Sequence, residues 1–216
     1  MPRNDSGPQS GSAIPLELLR TPPPKERSDA ARNRAAVLKA AARLFAEHGV
    51  EAVSMDQVAA EAGVGKGTLF RRFGDKSGLA VALLDTRERV LQEAILHGPP
   101  PLGPGAPAGE RLAAFIDAYL DYLLGHLALV RMSETAAPGA RYRIGAYRFW
   151  HRHTAILLGT TSDPEHADPD PGHTAHALLA ALAAEHVAEL LPELGEERIR
   201  AGVLRLARSA MRPPGP

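Results

Sequence analysis

The chain of 216 residues has no cysteine. That excludes a disulfide framework, a thiolate zinc site and a thiol nucleophile. Aromatic residues make up only 5% of it, so any stretch that gathers several stands out. No apolar run approaches the roughly 20 residues of a bilayer-spanning helix, and the N-terminus lacks a hydrophobic signal core. A cytoplasmic protein is expected. Net charge is lacking too, since 25 Lys+Arg balance 25 Asp+Glu, which excludes a polybasic coat for nucleic acid. The balance is uneven, however: residues 1–76 hold 12 Lys+Arg against 9 Asp+Glu, and residues 77–216 hold 13 against 16. A modestly basic head on a mildly acidic body fits recognition through a few placed contacts. No stretch alternates cleanly between apolar and polar residues, so the fold class is all-α. There is no Gly-rich phosphate loop, nucleophile elbow or HExxH, and neither an enzyme nor a cofactor is expected.

The most informative stretch runs from Val53 to Gly78, VSMDQVAAEAGVGKGTLFRRFGDKSG. Ser54 and Gln57 form a capping box, and Val53 and Val58 form the matching hydrophobic staple. The spacing predicts a helix over Met55–Ala62, stopped at Gly63, where the backbone takes positive φ. Val64 plugs the turn, and a second short helix starts near Gly65. Two helices around a tight Gly-containing turn are the helix-turn-helix pattern. On the second helix Leu69 and Phe73 face a core, while Lys66, Thr68, Arg71 and Arg72 lie outward or flanking. Gly65 and Gly67 let the backbone approach a phosphate closely. Thr68 and Lys66 are the main candidates for base or phosphate contact, with Arg71, Arg72 and Lys76 on phosphates. Phe70 lies along DNA sugars or in the core, and Gly67 and Ser54 complete the candidate DNA-binding set.

The run from Ala31 to Leu84 resembles the N-terminal domain of TetR-family transcriptional regulators. AAARLFAEHG (Ala40–Gly49), SMDQVAAEAGV (Ser54–Val64) and GKGTLFRRFGDKSGL (Gly65–Leu79) carry the likeness. It covers about a quarter of the chain. Gly65 stands where the family often has Ser, and Phe70 stands where it favours Tyr. The resemblance implies a DNA-binding head, a helical body that takes a small-molecule effector, and a homodimer on a palindromic operator. Repression is the family's default.

Residues 1–26, rich in Pro, Ser and Gly, read as a disordered arm, residues 27–76 as the helix-turn-helix domain, and residues 77–216 as a helical regulatory and dimerisation domain. The first helix should run from about Ser28 or Asp29 to His48, burying Val37, Leu38, Ala41, Leu44 and Phe45. A longer helix follows from Ser77 to about Leu96, then a Pro/Gly linker over residues 98–109. Beyond it lie helices Glu110–Gly125, Leu127–Glu134 and Arg141–Leu158, a polar loop (Thr160–Gly172), and two Ala/Leu-rich helices, His173–Leu191 and Glu196–Met211. By resemblance, these last two form a four-helix dimer interface with their copies.

The scarce aromatics gather in the middle helices. Tyr119, Tyr122, Met132, Tyr147, Trp150 and His151 are the candidate ligand-binding residues, since apolar pockets between helices are the usual small-molecule sites. Aromatics at helical spacing are more often core packing, which is the alternative reading. His151 and His153 do not share a helical face, and His173 and His176 have no closed ligand set around them, so no metal is expected. The reading is a ligand-responsive DNA-binding regulator with an unidentified effector and no membrane partner. The alternative is a small-molecule-binding helical protein whose head no longer reads DNA.

Overall fold

The computed structural model describes residues 25–160 and 168–211. Most of the N-terminal arm, and residues 161–167 of the polar loop, lie outside the described residues. Among those described there are ten helices and no strand: α1 (Lys25–His48), α2 (Met55–Glu61), α3 (Lys66–Phe73), α4 (Lys76–His97), α5 (Ala108–Gly125), α6 (Leu127–Thr135), α7 (Ala140–Arg143), α8 (Gly145–Leu158), α9 (Pro171–Ala180) and α10 (Ala184–Ala210).

Helices α1 to α3 form the head around Val37, Ala41, Leu44, Phe45, Val58 and Leu69, with Val53 closing it. The local signals act as expected. Ser54 Oγ accepts the Gln57 amide at 3.2 Å while Gln57 Oε1 accepts the Ser54 amide at 2.7 Å. Gly63 takes φ 65° at the turn. Asp75 then caps α4 by accepting the Gly78 amide at 2.8 Å. At Gly78 a Cβ would meet the Phe73 carbonyl oxygen at 1.9 Å, so α4 starts directly against the end of α3.

Helix α4, expected to open the helical body, contributes to both cores. Leu79 belongs to the head core, whereas Leu84, Leu91 and Ile95 on the same helix belong to the body core. The Pro/Gly segment after α4 is not an open linker: it folds into a tight turn with Leu102 packed on the body core. At Gly103 a Cβ would sit 1.8 Å from the Gly98 carbonyl oxygen, which shows how closely the turn doubles back.

The body is a bundle built on α5, whose Leu112, Phe115, Ile116, Leu120 and Leu123 are fully buried. At His126 the chain turns by 92° into α6. No single helix among the described residues is long and apolar enough to cross a membrane. Two expected helices are interrupted. The one over Arg141–Leu158 divides at Ile144, whose extended backbone (ψ 132°) separates α7 from α8. The one over His173–Leu191 divides after α9, where Leu182 is buried and Ala183 is extended (ψ 135°). The break expected over Pro192–Gly195 is present at Gly195, whose φ of 72° kinks α10, while Pro192 lies in its first half.

Candidate nucleic-acid interface and the cavity behind it

On α3, Leu69 is buried and Phe73 half-buried against the head core, and with about 100° per residue this puts Gly67 and Arg71 on the opposite side. Arg71, Arg72 and Phe70 are exposed, and Thr68 is half-buried beside Asn33 and Val37 of α1. Phe70 is 46% exposed, so it lies on the open face and not in the core. A Cβ on Gly67 would meet nothing within 4 Å, and its φ is ordinary. The head therefore has no steric need for glycine there, although glycine inside a helix costs roughly 1 kcal/mol relative to alanine.

Three other candidates make contacts within the head. Lys66 lies nearer the core side and pairs with Asp56 on α2. Both side chains are exposed, so this pair is weak and exchangeable. Ser54 uses its hydroxyl in the α2 cap. Lys76, expected on a phosphate, donates to the carbonyls of Val50, Glu51 and Val53 at 2.9, 3.0 and 3.1 Å. Its ammonium fills the turn between α1 and α2 and fastens it to the start of α4.

Behind the head, Tyr119 and Tyr122 of α5 meet Tyr147 and Trp150 of α8 around a cavity of about 20 Å³. That is room for one water. Glu88 of α4 and Val130, Ser133 and Glu134 of α6 complete the walls. Tyr122 donates its hydroxyl to Glu88 Oε1 at 3.0 Å. Burial raises the Glu88 carboxyl above its ordinary range, although the Tyr122 bond acts the other way. Burial also pushes both phenols up, assisted by neighbouring carboxylates.

Met132 and His151 do not join this group. Met132 turns toward the head core together with Leu129. His151 lies on the seam between α8 and α9, where its ring stacks 3.9 Å from that of His176. His176 Nδ1 is 2.7 Å from the Tyr147 hydroxyl. No group of three metal-ligating side chains forms among the described residues.

Sequence reasoning passed over Glu88, Glu134 and Arg141. Glu88 reads as one more charge on a solvated face, and Glu134 and Arg141 meet only through the turn between α6 and α7. Helix α6 has two roles: Val130, Ser133 and Glu134 line the cavity while Leu129 and Met132 touch the head core. On the far side of the body, Val187, Leu190 and Leu194 from one half of α10 and Ile199, Val203 and Leu206 from the other line an open groove of about 940 Å³.

Residues 37–83, which hold α2, α3 and the start of α4, match the family described as "Bacterial regulatory proteins, tetR family". That segment is a TetR-family helix-turn-helix domain. An HTH-type transcriptional regulator of Staphylococcus aureus is 33% identical over 121 residues, 56% of this chain and 64% of that protein. The alignment thus spans less than two-thirds of the relative's length. A TetR-family regulator from Pectobacterium atrosepticum has the same fold, with a TM-score of 0.61 and 24% identity over 85% of this chain and 94% of that one. So does NalD of Pseudomonas aeruginosa, the secondary repressor of a multidrug efflux pump, with a TM-score of 0.54 and 20% identity over 84% of this chain and 97% of that one. The TetR-family match falls on the helix-turn-helix; the cavity and groove lie outside residues 37–83.

Proposed function

We propose that this chain is a TetR-family transcriptional repressor that binds a palindromic operator as a homodimer and is released by a small-molecule effector. The observation that carries DNA recognition is the outer face of α3. Gly67, Phe70 and Arg71 stand open with Thr68 half-buried beside them, and a glycine that the fold does not require marks where a backbone of another molecule comes close. Arg71 and Arg72 grip phosphates, Thr68 reads a base edge, Phe70 lies along sugars, and Lys66 exchanges Asp56 for the DNA. The regulatory names of the relatives support the same reading, and NalD, which shares the fold, is a repressor.

The α10 groove receives the matching face of a second copy, giving a two-fold dimer. Its reading helices then address half-sites about 34–36 Å apart. The aromatic cavity is the effector site, and α4 and α6 carry its occupancy to the head. An effector acts only by binding the state with misplaced heads more tightly than the DNA-competent state.

Selection of genomic DNA by the purified full-length protein at fixed salt tests the proposal. An enriched inverted repeat, lost with Thr68→Ala in a folded dimer, is the expected result. Absence of enrichment by folded protein overturns it.

A further inference from the structure

The walls of the cavity specify a charge as well as a shape. Tyr119 is turned 56° from Tyr122 and 73° from Trp150, with ring centroids 5.7 and 5.8 Å away. Rings at such angles make adjacent walls, not a closed stack. Two carboxylates line this space, and the Arg141 guanidinium, which does not, pairs with one of them. Glu134 is neutralised, with Oε1 on Arg141 and Oε2 on the Ala184 amide. Glu88 accepts only the Tyr122 hydroxyl, a neutral donor, among the described residues. Asp85 on α4, whose charge helps to raise the Glu88 carboxyl, is another carboxylate and is itself paired with Arg89. One negative charge is therefore left without a cation at an aromatic wall. The site already holds a cation on a ring, since the Arg141 guanidinium lies 5.1 Å from the Tyr147 ring centroid.

We infer that the effector is a monovalent organic cation with an apolar or aromatic body, its charge held by Glu88 and its head enclosed by Tyr119, Tyr122 and Trp150. This rests on the cavity being the effector site, as proposed above. Aromatic faces attract cations through their quadrupoles, and a partly desolvated carboxylate adds a direct counter-charge. An anion would face the unpaired Glu88 carboxylate, and a neutral ligand would leave Glu88 uncompensated. The cavity has room for about one water, so the cation enters by displacing the Tyr122–Glu88 bond and moving α4 away from α5. A raised carboxyl is easily protonated, so the proton competes with the ligand and affinity falls as pH falls.

Trp150 is the only tryptophan of the chain, so its fluorescence reports on this cavity alone. Full-length protein is titrated with benzyltrimethylammonium and, separately, with benzyl methyl sulfone, a neutral molecule of similar shape. The expected result is a saturable change with the cation, about tenfold tighter than with the sulfone. Glu88→Gln keeps the acceptor for Tyr122 and should weaken the cation about tenfold without affecting the sulfone, whereas Glu88→Asp should retain the preference. Equal binding of both probes, no saturable change with the cation, or undiminished cation binding by folded Glu88→Gln overturns the inference. The selected operator then separates the two readings. Glu88-dependent cation binding that leaves DNA affinity unchanged supports the cation site and overturns the effector role. Release of DNA by a ligand indifferent to Glu88 overturns the cation and leaves the effector role standing.

Discussion

Glu134 and Arg141 form a buried ion pair that clamps both ends of the break between α9 and α10. Arg141 donates to the Leu179 carbonyl at 2.7 Å at the end of α9, and Glu134 accepts the Ala184 amide at 2.8 Å at the start of α10. Each side chain is 9% exposed. The pair thus satisfies an amide that a helix start leaves unpaired, and adds a charged donor to a carbonyl that already accepts the Leu182 amide at 3.1 Å. Glu134→Gln would leave the guanidinium buried without its counter-charge, at a cost of about 3 kcal/mol. Chemical denaturation should show that loss. A change below about 0.5 kcal/mol would remove the pair from the stability of the break.

Gly67 separates folding from recognition. Gly67→Ala meets open space, so it should stabilise the protein by about 0.5–1 kcal/mol while weakening DNA binding. Thermal melts and DNA titrations at one salt concentration measure the two effects. Stabilisation with undiminished DNA affinity would show that no backbone approaches α3 at this position.

His153 makes stability pH-dependent. Burial between aromatic rings, with Arg111 nearby, lowers its pKa from 6.5 to about 4. The native state therefore keeps the ring neutral while the unfolded chain takes up a proton. Stability is intact above pH 6.5 and falls as pH drops toward 4, by about 2 kcal/mol between pH 7 and 5. The lowered pKa of His176, from desolvation and from His151 and His173, adds in the same direction. Denaturation midpoints of the wild type and His153→Phe at both pH values test this, and the variant should show a clearly shallower loss.

Lys76 should matter to the fold of the head independently of DNA. Lys76→Met leaves the carbonyls of Val50, Glu51 and Val53 without the ammonium, at a cost of about 1–3 kcal/mol. Hydrogen exchange should then quicken over residues 50–53 and the first turn of α4. Unchanged exchange would show that water replaces the ammonium at no cost.

The contrast between Ser54 and Glu134 explains what the sequence discloses. Ser54 meets its partner Gln57 three residues later, and Gly63 and Asp75 also act within their own turns. Such signals are complete in a short window, so the head could be read closely. Glu134 instead acts on Ala184, fifty residues away. The chain around the break, LLAALAAEH, is made of strong helix formers. Only tertiary contacts interrupt it. The same limit applies at the cavity. Tyr119, Tyr122, Tyr147 and Trp150 stand out by scarcity, and the structure gathers them. Met132 and His151 share their helices but face elsewhere, and Glu88 carries no mark that separates it from a solvated charge. Among the charges of the head, spacing likewise did not disclose that Lys76 would turn inward to three carbonyls.

The small size of the cavity bears on the timing of the response. With space for a single water, a ligand of the proposed kind cannot enter until the walls part. At high concentration the observed rate of occupation should level off at the opening rate of the protein, instead of rising with ligand. Departure waits on the same motion. Under the proposed mechanism, the regulator would therefore remember its effector for a time set by its own helices after the free ligand has gone.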